Sequence, residues 1–392
     1  MRIFFSAGEP SGDTHGANLI QAFQAKCPEV DCVGFGGPKM RAAGCDVHFD
    51  LTTLAFMGFT DVLKNLRKFF QLADQAEEFF RRGKPDAVVL IDYPGFHWHI
   101  AHRAAKLGIP VFYYSPPQVW SWRQSRVKKM RRDFTQIFSG LPFETRWLRE
   151  RGCPVTYVGH PFFDETAKGK TLEPVERGRW QVGLLPGSRM SEVRKNVPAF
   201  LRAVEKIQAR QPNATFVFAA FNDVQADWIR RFLEEQNQTD IPVYAARTPE
   251  VMRTSHCCLT VSGSVSLELL AYETPSVILY QVTRPAWWFQ WYFRCVKYIT
   301  LVNLLAVENP FRRFSHEYTP TCADAAEVIF PEYLTCRDRS TWIASDISRW
   351  LEDSAAYQQT VERMRQLNAE MAHPGAAEKT VEEILKHLAS LD

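Results

Sequence analysis

A doubly wound α/β chain in two Rossmann-like halves that face a cleft is what this sequence predicts. Three observations carry the expectation. Short β-branched or aromatic runs alternate with longer periodic stretches, the alternation occurs twice, and a polar stretch poor in apolar residues, 166–179, separates the two series.

In the first series, Arg2 to Ala7, Cys32 to Gly36, Ala87 to Ile91, Val111 to Tyr114, Gln136 to Ser139 and Val155 to Val158 read as strands. Helical stretches such as Gly16 to Lys26 and Leu72 to Arg82 lie between them. The second series runs through Gln181 to Leu185, Thr215 to Ala219, Ile241 to Tyr244, Cys257 to Val261 and Ser276 to Tyr280. From Ser340 the chain is helical, with Pro374-Gly375 dividing a long helix from a final one. The expected domains are 1–168, 169–350 and a helical tail, 351–392, that crosses back to the first half or is swapped in a homodimer. Open sheets of this kind bind ligands beyond the C-terminal ends of their strands.

A chain of 392 residues is long enough for two cores. A net charge of +3 argues against a nucleic-acid partner for the molecule as a whole. The nine cysteines are scattered, with no CxxC pair, and read as buried reduced thiols of a cytoplasmic protein. The N-terminus meets a glycine turn too early for a secretory signal, and no charge-free apolar run of ~18 residues offers a membrane span. The ten histidines show no paired metal-ligand spacing, so no metal and no cofactor is expected. His97 and His99, on a possible short strand, read as structural.

Four stretches carry chemistry. Ser6 to Asp13 joins a strand to a helix through a glycine-rich turn. Gly8, Glu9, Ser11, Gly12 and Asp13 there suit an anionic or hydroxyl-rich ligand, and a purely structural turn fits equally. Asp92 follows the apolar run Val88 to Ile91, at a strand tip where a carboxylate can take a proton from an attacking hydroxyl; a loop ion pair is the plainer reading. Gly187, Ser188 and Arg189, with Glu192 in the next helix, form a turn whose guanidinium can neutralise a diphosphate. Ser262, Gly263 and Ser264 open another helix, with Glu268 one turn on and placed for ribose hydroxyls. The last two stretches together, in one domain, favour a nucleotide.

Two segments suggest a lipid partner. The run from Leu54 places Phe59, Leu63, Leu66, Phe69 and Phe70 at helical spacing opposite Lys64, Arg67 and Lys68, a pattern that fits a membrane surface, acyl chains or an ordinary core-facing helix. Pro285 to Ala306 gathers Trp287, Trp288 and Trp291 with other aromatics and a few cations, as in a headgroup layer. Between them Trp120 and Trp122 precede a basic stretch, Arg123, Arg126, Lys128, Lys129, Arg131 and Arg132, that fits an acceptor phosphate or an anionic lipid.

These motifs together resemble the lipid-A-disaccharide synthase family. The resemblance rests on Gly8 to Asp13, Gly37 to Met40, Met57-Gly58, Ile91-Asp92, Ser115-Pro116 with Val119 to Arg123, Leu185 to Arg189 with Glu192, and Asn303 to Leu305. It implies the GT-B glycosyltransferase fold. It also implies inverting transfer of 2,3-diacylglucosamine from its UDP derivative to the 6-hydroxyl of 2,3-diacylglucosamine 1-phosphate, giving the β(1→6) lipid A disaccharide 1-phosphate and UDP. Asp92 then matches the general base, Arg189 the diphosphate binder, Asn303 a nucleotide contact and Met57 part of the acceptor site. Peripheral attachment to the inner membrane and dimerisation through the C-terminal region are implied as well. The chain departs from its relatives at Gly95, where they often carry an acid, in an insertion at 308–325, and at Pro331 to Thr335. A UDP-N-acetylglucosamine 2-epimerase would use the same fold without lipid-facing segments, and a membrane-binding module without catalysis would keep only those segments.

Overall fold

The computed structural model describes residues 1–54, 66–167, 180–311, 318–371 and 373–391. The chain forms two compact units: Met1–Lys168 together with His373–Asp392, and Gly169–Ala372.

The first unit is built on β1 (Arg2–Ala7), β2 (Asp31–Gly36), β3 (Asp46–Asp50), β4 (Ala87–Ile91), β5 (Val111–Tyr114), β6 (Gln136–Ser139) and β7 (Val155–Tyr157). They pair in parallel in the order β3-β2-β1-β4-β5-β6-β7. All five residues of β4 are buried, as expected for a central strand covered on both faces. The strand order reverses between β1 and β4, whose last residues, Ala7 and Ile91, are in register. That reversal opens the crevice in which such sheets hold ligands.

The second unit repeats the plan with β8 (Gln181–Leu185), β9 (Thr215–Ala220), β10 (Val243–Ala245), β11 (Cys257–Thr260), β12 (Ser276–Gln281) and β13 (Glu332–Thr335), in the order β10-β9-β8-β11-β12-β13. Its reversal lies between β8 and β11, with Leu185 opposite Thr260.

Two strands were not expected. β3 (DVHFD) is a polar edge strand, and β13 begins on a glutamate, so neither shows the apolar run that marks an inner strand. The tail also divides differently from the expected boundary at 351. Helix Ser354–Met371 stays with the second unit because Val361, Met364 and Leu367 are buried and Tyr357 stacks on His256 at 4.0 Å.

The final helix, Ala376–Ala389, does return to the first unit. Ala376, Ala377, Val381 and Ile384 join Leu19, Ile20, Phe23 and the β1 and β4 side chains in one core. Its N-terminus is held from far away in sequence: Asp164 accepts from the backbone N–H groups of Gly375, Ala376 and Ala377 at 2.6, 3.0 and 2.9 Å. A carboxylate there satisfies donors that a helix start otherwise leaves open. All nine cysteines are free thiols, and burial pushes those of Cys32, Cys45 and Cys258 up to about 12.

Candidate functional site

The two sheet reversals locate four of the sequence motifs. In the first unit the turn after β1 and the turn after β4 lie side by side. Gly8 is buried because the Tyr93 ring covers it: a Cβ at position 8 would come within 2.3 Å of that ring. A Cβ at Gly12 would stand 3.8 Å from the Asp92 Cβ. Glycine at 8 is therefore a packing requirement of the Asp92 turn.

Asp92 and Tyr93 both adopt left-handed backbone angles, φ +53° and +48°. Two consecutive non-glycine residues in this region store strain that the surroundings must hold. The Asp92 carbonyl accepts from the Tyr113 hydroxyl at 2.5 Å and from His97 Nδ1 at 2.5 Å. His97, fully buried, accepts from the Ser6 hydroxyl at Nε2, 2.8 Å away. Burial pushes its pKa down to about 3, so the ring is neutral. Burial also raises the Tyr113 phenol well above its ordinary range, which keeps it a donor.

The Asp92 carboxylate is half-buried, accepts from the Tyr93 N–H at 2.9 Å, and pairs with no lysine or arginine among the described residues. Burial raises its pKa, opposed by that hydrogen bond and by His15 nearby. A carboxylate held above its ordinary range is a stronger base once ionised. The ion-pair reading of Asp92 is not what the structure contains.

Of the other expected ligand side chains in this turn, Asp13 turns inward. Asp13 is buried and accepts from the N–H groups of Gly37, Lys39 and Met40 at 2.8, 2.9 and 3.0 Å, so it shapes the Gly37–Met40 turn and has no face left for a sugar. Glu9 is half-buried and Ser11 exposed. His97 and His99 lie on the helix Pro94–Lys106, not on a strand.

In the second unit, Gly187 has φ +119° and a Cβ there would strike the Glu192 carboxylate at 2.6 Å. Glu192 accepts from the Arg189 N–H at 3.2 Å and faces its guanidinium at 3.5 Å, the carboxylate half of a capping box at the start of helix Met190–Arg210. Its carboxylate thus holds the turn, whereas the Arg189 side chain is 76% exposed. Two buried amides pin the same loop: Asn196 donates to the Pro186 carbonyl at 2.9 Å and Gln225 to the Ser188 carbonyl at 2.7 Å. Beside it, past β11, Gly263 and Ser264 are exposed, with Ser262 and Glu268 half-buried at the head of helix Val265–Ala271.

Asn303 is placed otherwise than expected. It is fully buried, its amide donating to the Phe330 carbonyl and the Glu332 carboxylate and accepting from the Ile329 and Phe330 N–H groups. With every hydrogen-bonding position of that amide engaged, it fixes the approach to β13 and offers nothing to a nucleotide.

The lipid-facing segments divide. Met57, Phe59 and Leu63 lie outside the described residues, and Leu66 opens the helix Leu66–Gly83. That helix buries Leu72, Ala73, Ala76 and Phe80, and Phe69 packs on Tyr93 and Phe96 at 6.3 and 5.9 Å, so Phe69 faces inward. Phe70 remains 47% exposed. In the other segment only the first half is a surface. Helix Arg284–Phe293 buries none of its residues and exposes Trp288, Phe289, Trp291, Tyr292 and Phe293, with Trp287 half-buried against Trp291. Val296, Tyr298, Val302 and Leu304 are core. Among the described residues no helix is long and apolar enough to cross a membrane, and no group of three or more His, Cys, Asp or Glu is placed to hold a metal.

Residues 3–334 match the family model described as lipid-A-disaccharide synthetase. The lipid-A-disaccharide synthase of Trichlorobacter lovleyi is 36% identical over 81% of this chain and 84% of its own. That of Myxococcus xanthus is 29% identical over 99% and 97%. Among solved structures, a putative UDP-N-acetylglucosamine 2-epimerase from Listeria monocytogenes superposes with TM-score 0.62 at 11% identity, covering 100% of this chain and 97% of that one. The calicheamicin glycosyltransferase does so with TM-score 0.60 at 16% identity, covering 100% and 98%. At such identities these two likenesses speak to the fold alone.

Proposed function

The chain belongs to the lipid-A-disaccharide synthetase family, and from that premise we propose how its residues divide the reaction. The enzyme is a GT-B glycosyltransferase that forms the lipid A disaccharide. The donor is a UDP-2,3-diacylglucosamine and the acceptor a 2,3-diacylglucosamine 1-phosphate.

In the proposed step the acceptor 6-hydroxyl attacks the anomeric carbon of the donor with inversion. Its proton passes to the Asp92 carboxylate as the new glycosidic bond forms. The bond from the anomeric carbon to the diphosphate oxygen breaks, and its electron pair leaves on UDP. Arg189 and the N–H groups around Gly263 and Ser264 stabilise the charge that develops there. Glu192, Asn196 and Gln225 hold the Arg189 loop. The enzyme acts from a membrane surface, reached through the exposed aromatics of helix Arg284–Phe293, with cytoplasmic access to both lipid substrates.

One observation carries this reading: a carboxylate with a raised pKa stands at the tip of β4, in a strained turn that two buried donors hold by its carbonyl. The test is Asp92→Asn, assayed by mass of the lipid product and by UDP release. Turnover should fall by roughly 10²–10⁴ while UDP binds as before. Normal turnover by the variant removes Asp92 from the base role, and conversion of soluble UDP-N-acetylglucosamine to its epimer without release of UDP would replace the transferase reading altogether.

A further inference from the structure

One strand beyond Asp92, the chain leaves β5 through Ser115, whose φ is +56°, and enters the short helix Val119–Trp122 and a basic stretch. The cations there are not equivalent. Arg132 is committed to Asp133, in two bonds of 2.7 Å. Arg123 and Arg126 have no carboxylate partner among the described residues. Each instead stands over an indole: the Arg123 guanidinium is 4.1 Å from the Trp122 ring centroid and that of Arg126 is 5.8 Å from Trp98. Stacking fixes where a guanidinium lies while leaving its N–H edge open.

The two charges are also neighbours. Burial first, and the Arg123 charge second, lower the Arg126 pKa. Trp98, the indole beneath Arg126, lies on the helix Pro94–Lys106 that directly follows the Asp92 turn. Arg123 is exposed and Arg126 half-buried, and the Arg126 N–H donates to the Arg123 carbonyl at 3.0 Å within one turn. Two like charges so placed, without a counter-charge among the described residues, are unfavourable alone and become favourable around a dianion.

We propose that Arg123 and Arg126 form a binding site for a phosphate monoester, the anomeric phosphate of the acceptor sugar. The proposal rests on the acceptor assigned above and names the residues that select its anionic end. Planar forks hold phosphate oxygens bidentately. A phosphate gripped there anchors the acceptor beside Asp92, so the pair acts on acceptor recognition and not on the chemical step.

The experiment compares wild type with Arg123→Gln/Arg126→Gln on two acceptors in detergent micelles, the 1-phosphate and its neutral 1-O-methyl counterpart. The variant should raise KM for the phosphate by about tenfold to a hundredfold, leave kcat nearly unchanged, and leave the methyl glycoside unaffected. Equal effects on both acceptors, or none, overturn the assignment. Calorimetric titration with soluble glucosamine 1-phosphate reads the site without turnover: weaker binding by the variant supports it even if the transferase reading fails, and unchanged binding overturns it. Co-sedimentation with phosphatidylcholine vesicles, with and without phosphatidylglycerol, separates the sources of phosphate. The variant should sediment like wild type, whereas loss of binding to the anionic vesicles with acceptor discrimination intact would give the pair to a lipid headgroup and overturn the proposal.

Discussion

His97 donates through Nδ1 to the backbone carbonyl of Asp92, and across the ring its Nε2 accepts from Ser6, so one buried histidine ties the tip of β4 to β1. A carbonyl only accepts, which fixes the proton on Nδ1.

A stability prediction comes from that neutral ring. The unfolded chain takes up a proton near the ordinary histidine value of 6.5, while the native ring stays neutral down to about 3. The contribution is complete above the unfolded value and is lost as pH falls through it, by up to ~1.4 kcal/mol per unit. Urea midpoints of wild type and His97→Phe should therefore converge on acidification. At neutral pH the variant should be less stable by about 1–3 kcal/mol, since the Ser6 hydroxyl loses its partner and the Asp92 carbonyl one of two. A gap between the two that does not change with pH would show that the native ring is not held neutral.

Gly8 and Tyr93 give a second prediction. An alanine at 8 would place its Cβ 2.3 Å from the Tyr93 ring, which also packs against Phe69 and His97. Gly8→Ala should cost about 1–3 kcal/mol through overpacking and lower turnover by displacing the Asp92 turn. Adding Tyr93→Ala should recover part of the stability, because the collision is with that ring. Denaturation of the four proteins in the cycle checks this, and purely additive effects would mean that the ring does not set the requirement for glycine.

How much of this was legible in the sequence depended on distance along the chain. β4 announces itself by a continuous apolar run, and Asp92 by standing where the run stops. The Pro186–Arg189 turn is likewise local, and its capping partner Glu192 is only three residues from Arg189. Asp13 misled because its glycine-rich surroundings suggest a ligand, while its true partners, Gly37 to Met40, come 24 to 27 positions later. His97 reads as an ordinary core residue until β1 brings Ser6 to it from 91 positions away. Asn196 and Gln225 carry no local signal in their helices, and only the fold shows that they hold the Arg189 loop. Phe69 has the spacing of a membrane face and of a core face alike, and periodicity alone does not choose between them.

The Arg189 turn supports a third prediction. The guanidinium is exposed and the Glu192 carboxylate bonds the backbone beneath it. Arg189→Ala should weaken UDP binding by about tenfold to a hundredfold with little change in melting temperature. Arg189→Lys should recover only part of the loss, because an ammonium lacks the fork. Glu192→Ala should instead cost about 1 kcal/mol of stability and affect UDP less. Calorimetric UDP titrations beside thermal melts distinguish the two roles. If Glu192→Ala proved the more damaging to UDP binding, Glu192 and not Arg189 would be the group that governs the diphosphate.

The aromatic helix Arg284–Phe293 supports the last prediction. Trp288 is 67% and Tyr292 69% exposed, and no residue of the helix is buried. Trp288 meets the Trp287 ring at 5.7 Å and Tyr292 the Phe293 ring at 5.0 Å, contacts with neighbours on the same exposed helix and not with the core. Trp288→Ser/Tyr292→Ser should therefore shift stability by no more than ~0.5 kcal/mol. If these rings enter a lipid headgroup layer, each forfeits part of the ~1.5–3 kcal/mol that full burial of a large apolar side chain is worth. The double variant should then partition to phospholipid vesicles at least tenfold more weakly. Turnover of vesicle-borne acceptor should fall through KM, while turnover of a short-chain acceptor dispersed in water stays at the wild-type level. Undiminished co-sedimentation of the variant would leave these rings with no part in membrane attachment, and Phe70, exposed among the described residues of the other segment, would be the next to replace.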